Sequence, residues 1–233
     1  MTVRLGTFGW ALLALSALLA VAYGAAGPPM VAAAAPPFAI AALKASGILP
    51  LALMAALNRA TLLTCALIFG AVGDIGLALG GDWFLIGAGA FLVGHLFYIA
   101  SFLRGGADIG AALRKPRRLG AMTAVTVGAV ALTALLVPRT DPLFVPLSVY
   151  TGVLTLMTLT ALTLPRARWP AMAGAVLFFI SDAFVAANMF HPQDDPTLAF
   201  ALSFTGWMLY WAGQTGLCLG MLTAQGETGA AMR

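Results

Sequence analysis

Long stretches without a formal charge are the feature that most constrains the fold of this 233-residue chain. Residues 5–43 carry no formal charge, and neither do residues 142–165. A helix needs about 20 consecutive apolar residues to cross roughly 30 Å of hydrocarbon. Charged residues make up only 9% of the chain, whereas about a quarter of an ordinary soluble domain is charged. The composition therefore excludes a soluble globular protein. Because there is no block of like charge, we also expect no nucleic-acid partner.

The apolar runs predict an all-α polytopic membrane protein, a bundle of eight transmembrane helices in a single domain over residues 1–233. A helix satisfies its own backbone hydrogen bonds in lipid, whereas a barrel strand would show alternating apolar and polar residues. The spans are predicted near residues 6–24, 38–57, 61–79, 84–103, 119–137, 143–164, 170–190 and 197–222.

The basic residues between these spans predict the topology. If the N-terminus is inside, Arg139 is the single basic residue of the outer loops. Cationic loops resist translocation, so both termini are predicted to be cytoplasmic. The alanine-rich composition favours the inner membrane of a bacterium as the location. The inner segments then hold ten basic residues: Arg4, Arg59, Arg104, Arg114, Lys115, Arg117, Arg118, Arg166, Arg168 and Arg233.

The first span has an alternative interpretation as a secretory signal peptide. Arg4, the apolar stretch after it and the small residues around Gly24 fit that pattern. We favour an uncleaved first helix, because the charge-free stretch continues well past Gly24. The orientation of the remaining spans is the same in either case.

Polar residues inside the predicted spans are the candidates for function. A charged group near the bilayer centre costs several kcal/mol and usually faces a cavity or a partner. The alternative is a purely structural carboxylate that joins two helices. The ionisable candidates are Lys44, Asp74, His95 and Asp182, accompanied by Asn188 and Gln214.

Asp74 and Asp182 stand in similar settings in the third and seventh spans. In each segment an apolar run with an aromatic residue is followed by a small residue and then the aspartate. Both spans run outward in the predicted topology, so both aspartates should lie past the midpoint and could face one cavity. A further hypothesis is that spans one to four and five to eight are parallel halves produced by duplication, although little else aligns.

Other polar and aromatic residues fall on single helical faces. His95 and Tyr98 are three residues apart in the fourth span, and Tyr210 and Gln214 are four apart in the eighth. Packing is the simpler interpretation for the aromatic residues, whereas an imidazole in lipid must find a partner. Lys44 has the alternative of extending its ammonium to the outer surface.

Two carboxylates in one low-dielectric cavity tend to divide their roles, one holding a proton while the other is ionised. That division suits acid-assisted hydrolysis through an oxocarbenium-like species, as in glycosidases. It also suits proton-coupled transport, in which a carboxylate loads and releases protons. The residues alone leave both possibilities open.

Several blocks of the sequence resemble the lysoplasmalogenase (YhhN-type) family. These are residues 67–79 around Gly73-Asp74, residues 91–98 with His95 and Tyr98, residues 174–182 ending in Ser-Asp, and residues 210–214. Their order and spacing match the family from about Lys44 to Leu222. One departure is that family members often carry a proline very soon after the lysine, whereas here the next proline is Pro50.

The resemblance implies an ether hydrolase that cleaves the vinyl ether bond of a lysoplasmalogen. The products would be a fatty aldehyde and glycerophosphoethanolamine or glycerophosphocholine. Asp74 and Asp182 would be the catalytic acid and base, with no cofactor and no metal. The substrate would be a lysophospholipid whose tail stays among membrane lipid. The residues expected to bind it are Lys44, His95, Tyr98, Tyr210 and Gln214.

Other functions remain as alternatives. A proton-coupled small transporter or channel could use the same aspartates, and helices interrupted at matching places would favour it. An intramembrane aspartyl protease would need glycine where Ala71 stands. A metal-dependent hydrolase is poorly supported, because His95 lies in a span and His191 in a loop.

Overall fold

The computed structural model describes residues 6–26 and 36–222, which are helical and contain no strand. Arg4 and Arg233, used in the topology argument, lie outside the described residues. The helices are α1 (Thr7–Ala26), α2 (Pro37–Ser46), α3 (Leu49–Leu57), α4 (Thr61–Leu79), α5 (Trp83–Arg104), α6 (Ile109–Leu113), α7 (Pro116–Leu136), α8 (Phe144–Leu162), α9 (Trp169–Phe190) and α10 (Pro196–Leu222). A short 3₁₀ turn, Arg166–Arg168, precedes α9.

Seven of the described helical segments are long and apolar enough to cross a membrane. They are α1, the α2–α3 pair, α4, α5, α7, α8 and the segment from Arg166 to the end of α9. The chain is therefore a multi-pass membrane protein. The predicted eighth span is α10, which is 27 residues long but is not among the seven. The count of eight and the orientation of the termini stay predictions.

The second predicted span is interrupted at Gly47 and Ile48, between α2 and α3. Pro50 lies in the first turn of α3, and a proline there cannot donate to the preceding turn and crowds its carbonyl groups. The Gly47 carbonyl freed by the break accepts a hydrogen bond of 2.6 Å from the Ser16 hydroxyl of α1. A backbone group that would be unpaired in lipid is thus satisfied by a neighbouring helix.

Two hairpins, α4–α5 and α9–α10, pack through glycines. A Cβ on Gly76 would lie 2.5 Å from the Gly87 Cα, and one on Gly174 would lie 2.5 Å from the Gly213 carbonyl oxygen. Such contacts let the backbones approach closely, as is common between membrane helices. Each hairpin carries one of the candidate aspartates on its first helix. The duplication of the two halves stays a prediction.

One end of the bundle gathers the loops that the sequence assigned to the inside. The Asp108 amide donates to the Thr163 carbonyl, and the Arg168 guanidinium donates to the Met221 carbonyl at 2.8 Å. We call this end, which also carries Arg104 and Arg166, the basic end. The opposite end, where α4 turns into α5 through Gly80–Asp82, is the site end.

Helix α1 is an integrated part of the bundle. In addition to the bond from Ser16 to Gly47, the Trp207 indole of α10 donates to the Ala20 carbonyl at 2.7 Å. The Trp211 indole donates to the Ser16 hydroxyl at 2.9 Å. Ser16 and Ala20 are fully buried, so α1 contributes to the packing of the bundle; that it stays uncleaved is a prediction.

Candidate active site

Asp74 and Asp182 line the same cavity, which has a volume of about 290 Å³. Asp74 lies five residues before the end of α4, and Asp182 lies eight before the end of α9, so both are in the half of the bundle toward the site end. Most of the other lining residues are apolar or aromatic, among them Leu77, Phe84, Phe91, Leu132, Leu147, Leu154 and Phe179. The cavity is thus an apolar chamber with two carboxylates in its wall.

Asp74 is held by donors from two helices. Its Oδ1 lies 3.7 Å from the Lys44 Nζ of α2, and its Oδ2 accepts a 2.9 Å hydrogen bond from the Tyr210 hydroxyl of α10. The Asp74 side chain is only 1% exposed. Lys44 stands in the last turn of α2, three residues before the break at Gly47, and its ammonium reaches Asp74 on α4.

A chain of hydrogen bonds continues behind Tyr210. The Gln214 Nε2 donates to the Tyr210 hydroxyl oxygen at 3.0 Å, and the Tyr98 hydroxyl donates to the Gln214 Oε1. Tyr98 and Gln214 are at most 1% exposed and do not line the cavity. Their part in the site is to fix Tyr210.

The Lys44 ammonium also lies near two aromatic rings. It is 5.9 Å from the centre of the Tyr23 ring and 5.8 Å from that of Trp207. Those rings are 4.5 Å apart and meet edge to face. The ammonium is attracted by the electron-rich faces and by Asp74, so Lys44 turns inward rather than extending to the surface.

Asp182 has a different environment. Its Oδ2 accepts a 2.5 Å hydrogen bond from the Tyr150 hydroxyl of α8. The Ser181 hydroxyl lies 3.4 Å from its Oδ1, but that hydroxyl also donates to the Phe178 carbonyl at 2.8 Å. Among the described residues, no cationic group forms an ion pair with Asp182.

His95 lies behind the cavity wall. Its Nδ1 donates to the Phe91 carbonyl at 2.5 Å, and its ring packs edge to face on Phe178 with the centres 5.0 Å apart. The Tyr150 ring is 5.4 Å away, centre to centre. The Nε2 atom is buried without a hydrogen-bond partner in the described part of the chain.

A second cavity of about 610 Å³ lies at the site end and shares part of its lining with the first. The shared residues are Lys44, Leu77, Phe84, Val185 and Met189, and the turn Gly80–Asp82 forms the outer margin. Val185 and Met189 are 39% and 38% exposed. The aspartate cavity therefore continues to the site end past an exposed apolar rim.

Sequence reasoning selected seven site residues, and the structure brings them together in two layers. Lys44, Asp74, Asp182 and Tyr210 line the cavity, whereas His95, Tyr98 and Gln214 stand behind it. Tyr150 and Tyr23 were missed. The scarcity of tyrosine in the sequence could have pointed to these two residues. The chain has only four tyrosines, and all four contribute to this site.

In the described ranges, no group of three or more His, Cys, Asp or Glu side chains is placed to hold a metal ion. The polar groups of the cavity are carboxyl, ammonium and hydroxyl groups. These can move protons and stabilise a developing charge.

The YhhN family model matches residues 39–221, well over half of the chain. The chain belongs to the YhhN family, which is a family of lysoplasmalogenases. The resemblance seen in the short blocks of sequence is thereby confirmed. No curated protein and no solved structure gives a significant match.

The YhhN match covers α2 to nearly the end of α10 and leaves out α1. All seven selected residues and Tyr150 lie within the match, with Lys44 close to its start and Gln214 close to its end. Tyr23, which borders the Lys44 ammonium, comes from α1 outside it. The site is thus assembled mainly by the YhhN region, with one wall supplied by the first helix.

Proposed function

We propose that this protein is a lysoplasmalogenase, which hydrolyses the vinyl ether bond of a lysoplasmalogen. The products are a fatty aldehyde and glycerophosphoethanolamine or glycerophosphocholine. The observation that carries the proposal is the pair Asp74 and Asp182 on one apolar cavity, in a chain of the YhhN family.

The two carboxyl groups suit this reaction. A protonated aspartate delivers its proton to the vinyl carbon farther from the oxygen, which gives an oxocarbenium ion. The ionised partner stabilises that cation and takes a proton from the attacking water. The resulting hemiacetal collapses to the aldehyde and the free glycerol hydroxyl.

The shape of the site suits a lipid with one chain. The apolar lining accommodates hydrocarbon, and the continuation past Val185 and Met189 gives an exposed apolar rim at the site end. The polar headgroup would stay near the margin formed by Gly80–Asp82. In the predicted orientation this margin faces outward, and we place the protein in the inner membrane of a bacterium with both termini cytoplasmic.

The test is an assay of the detergent-purified protein on a lysoplasmalogen, its diacyl counterpart and its saturated ether analogue. We expect aldehyde release from the vinyl ether alone, and no effect of chelators. Asp74→Asn and Asp182→Asn should each abolish release while the protein stays folded. Asp194→Asn, in an exposed loop, is the matched control and should keep full activity. Activity that survives either of the first two substitutions would rule out the two-carboxylate mechanism.

A proton-coupled transporter is the second candidate, because the span that carries Lys44 is interrupted at Gly47. Transporters built from repeats place such breaks at corresponding positions in both halves. In the corresponding span, α8 runs unbroken from Phe144 to Leu162 with Pro146 in its first turn. The break between α2 and α3 therefore has no counterpart in α8. Reconstituted vesicles that accumulate solute in response to a proton gradient, without aldehyde release, would favour transport.

A further inference from the structure

The two aspartates share a cavity but have unequal partners, and this inequality allows their roles to be assigned. The assignment rests on the lysoplasmalogenase reaction proposed above. The protonation states that underlie it can be measured without substrate.

The partners of Asp74 favour its ionised form. Lys44 supplies a positive charge at 3.7 Å, and Tyr210 supplies a hydroxyl proton at 2.9 Å. The Tyr210 oxygen accepts from Gln214, whose own carbonyl accepts from Tyr98. Each donor in this series of hydrogen bonds points toward Asp74, so the Tyr210 hydroxyl is left to donate its hydrogen bond to the Asp74 carboxylate. A buried carboxylate with a cation and an oriented donor is compensated in both charge and hydrogen bonding.

The partners of Asp182 favour its neutral form. Tyr150 donates to Oδ2, and the carbonyl oxygen of a neutral carboxyl group can also accept that bond, although less strongly than a carboxylate oxygen. Ser181 has a single hydroxyl proton, and its shorter hydrogen bond, 2.8 Å, is to the Phe178 carbonyl oxygen. The Asp182 Oδ1 lies 3.4 Å from the Ser181 oxygen, so it lacks a strong hydrogen-bond donor. A proton on Oδ1 could instead be directed at the Ser181 oxygen. Asp182 is partly buried in the wall of an apolar cavity, and an ionised carboxylate in such a setting without a paired cation is costly.

We infer that Asp182 is the protonated general acid, that Asp74 is the ionised base, and that Tyr150 is a positioning residue for Asp182. Tyr150 is hydrogen-bonded to the Asp182 carboxyl oxygen before proton transfer. It remains bonded to the carboxylate afterwards, so it holds the acid in one orientation and stabilises its conjugate base.

With this assignment, every proton that moves in the reaction is accounted for. The Asp182 proton forms a C–H bond with the vinyl carbon farther from the oxygen, the C=C π electrons form that bond, and an oxygen lone pair forms the C=O⁺ bond of the oxocarbenium ion. Water adds to the adjacent carbon and its proton passes to Asp74. In the collapse Asp74 returns that proton to the leaving glycerol oxygen as the C–O bond breaks, and Asp182 recovers a proton from the hemiacetal hydroxyl. One water is consumed and both aspartates return to their starting states.

Infrared spectroscopy of the substrate-free protein at neutral pH tests the assignment. A neutral carboxyl group has a C=O stretching band that is distinct from the carboxylate bands and shifts in D₂O. The other described aspartates lie in loops outside the helices. We expect one such band in the wild type and in Asp74→Asn, and its loss in Asp182→Asn. A band lost in Asp74→Asn and kept in Asp182→Asn would overturn the assignment, as would its absence from the wild type.

Tyr150→Phe tests the positioning role. The band should remain but move to higher frequency, because the carbonyl oxygen loses its hydrogen bond, and kcat should fall more than KM changes. Tyr23→Phe is the matched control, since it keeps the ring beside Lys44, and its band should be unmoved. An unchanged band in Tyr150→Phe would overturn the positioning role. If the bands behave as expected and no aldehyde is released, the proposed function fails while the proton assignment stands.

Discussion

The ion pair between Lys44 and Asp74 gives the sharpest prediction about stability. The charges are 3.7 Å apart, and at an effective dielectric constant of about 20 two unit charges at this distance attract by about 4 kcal/mol. Lys44→Met keeps most of the side-chain volume but leaves a buried carboxylate without its cation. Breaking a buried pair in this way usually costs about 3–5 kcal/mol.

The double variant separates the interaction energy of Lys44 and Asp74 from the effect that each substitution has alone. Lys44→Met combined with Asp74→Asn leaves no unpaired charge, so we expect it to be more stable than Lys44→Met alone. The coupling energy of the cycle should be several kcal/mol, well above the average of about 0.6 kcal/mol for hydrogen bonds between membrane helices.

The free energy of unfolding of the four proteins can be measured by denaturation in mixed micelles. Lys115→Met, at an exposed position, is the control and should change stability by less than about 0.5 kcal/mol. If the two single effects add to within about 0.5 kcal/mol, the charges are not coupled. The electrostatic argument for an ionised Asp74 would then be wrong.

Four further predictions concern other parts of the molecule. Tyr210→Phe removes the hydrogen bond to Asp74, worth about 1.5–3 kcal/mol, so aldehyde release should fall roughly 10- to 100-fold, and unchanged kinetics would contradict this role. Gly174→Ala should destabilise the protein by about 1–3 kcal/mol, because its Cβ would meet the backbone of α10. Gly152→Ala, which faces open space, should be neutral or stabilising in the same unfolding assay. Ser16→Ala leaves the freed carbonyl at the α2–α3 break unpaired and should cost about 1–3 kcal/mol. Intact-mass spectrometry of the membrane-purified protein should find α1 still attached.

The spans could be predicted because hydrocarbon admits few charges. Each predicted span coincides with a described helix, or with the α2–α3 pair for the second span, and its limits agree with the helix ends to within a few residues. The second span was the exception. The sequence predicted one continuous helix over residues 38–57, whereas Pro50 divides it into α2 and α3. A break at that depth is tolerated because Ser16 of α1 satisfies the Gly47 carbonyl. That partner is 31 positions away and cannot be seen from local sequence.

The candidate residues could also be found from the sequence. Lys44, Asp74 and Asp182 are the formal charges within the predicted spans, and a charge in lipid must find a partner. Their partners could not be found in the same way. Lys44 pairs with Asp74 and not with Asp182, and Asp182 is bonded to Tyr150 of α8, a residue that the sequence did not single out.

The sequence by itself therefore determined that the chain is built of helices apolar enough to cross a membrane, and which charged residues lie within the predicted spans, because the low dielectric of lipid penalises charge whatever the fold. The tertiary structure decided which face of each helix turns inward and which groups meet there. In a soluble helix an apolar stripe marks the inner face. In these helices both the lipid-facing and the protein-facing sides are apolar, so only packing brings Tyr150, Asp182, Asp74 and Lys44 to one cavity.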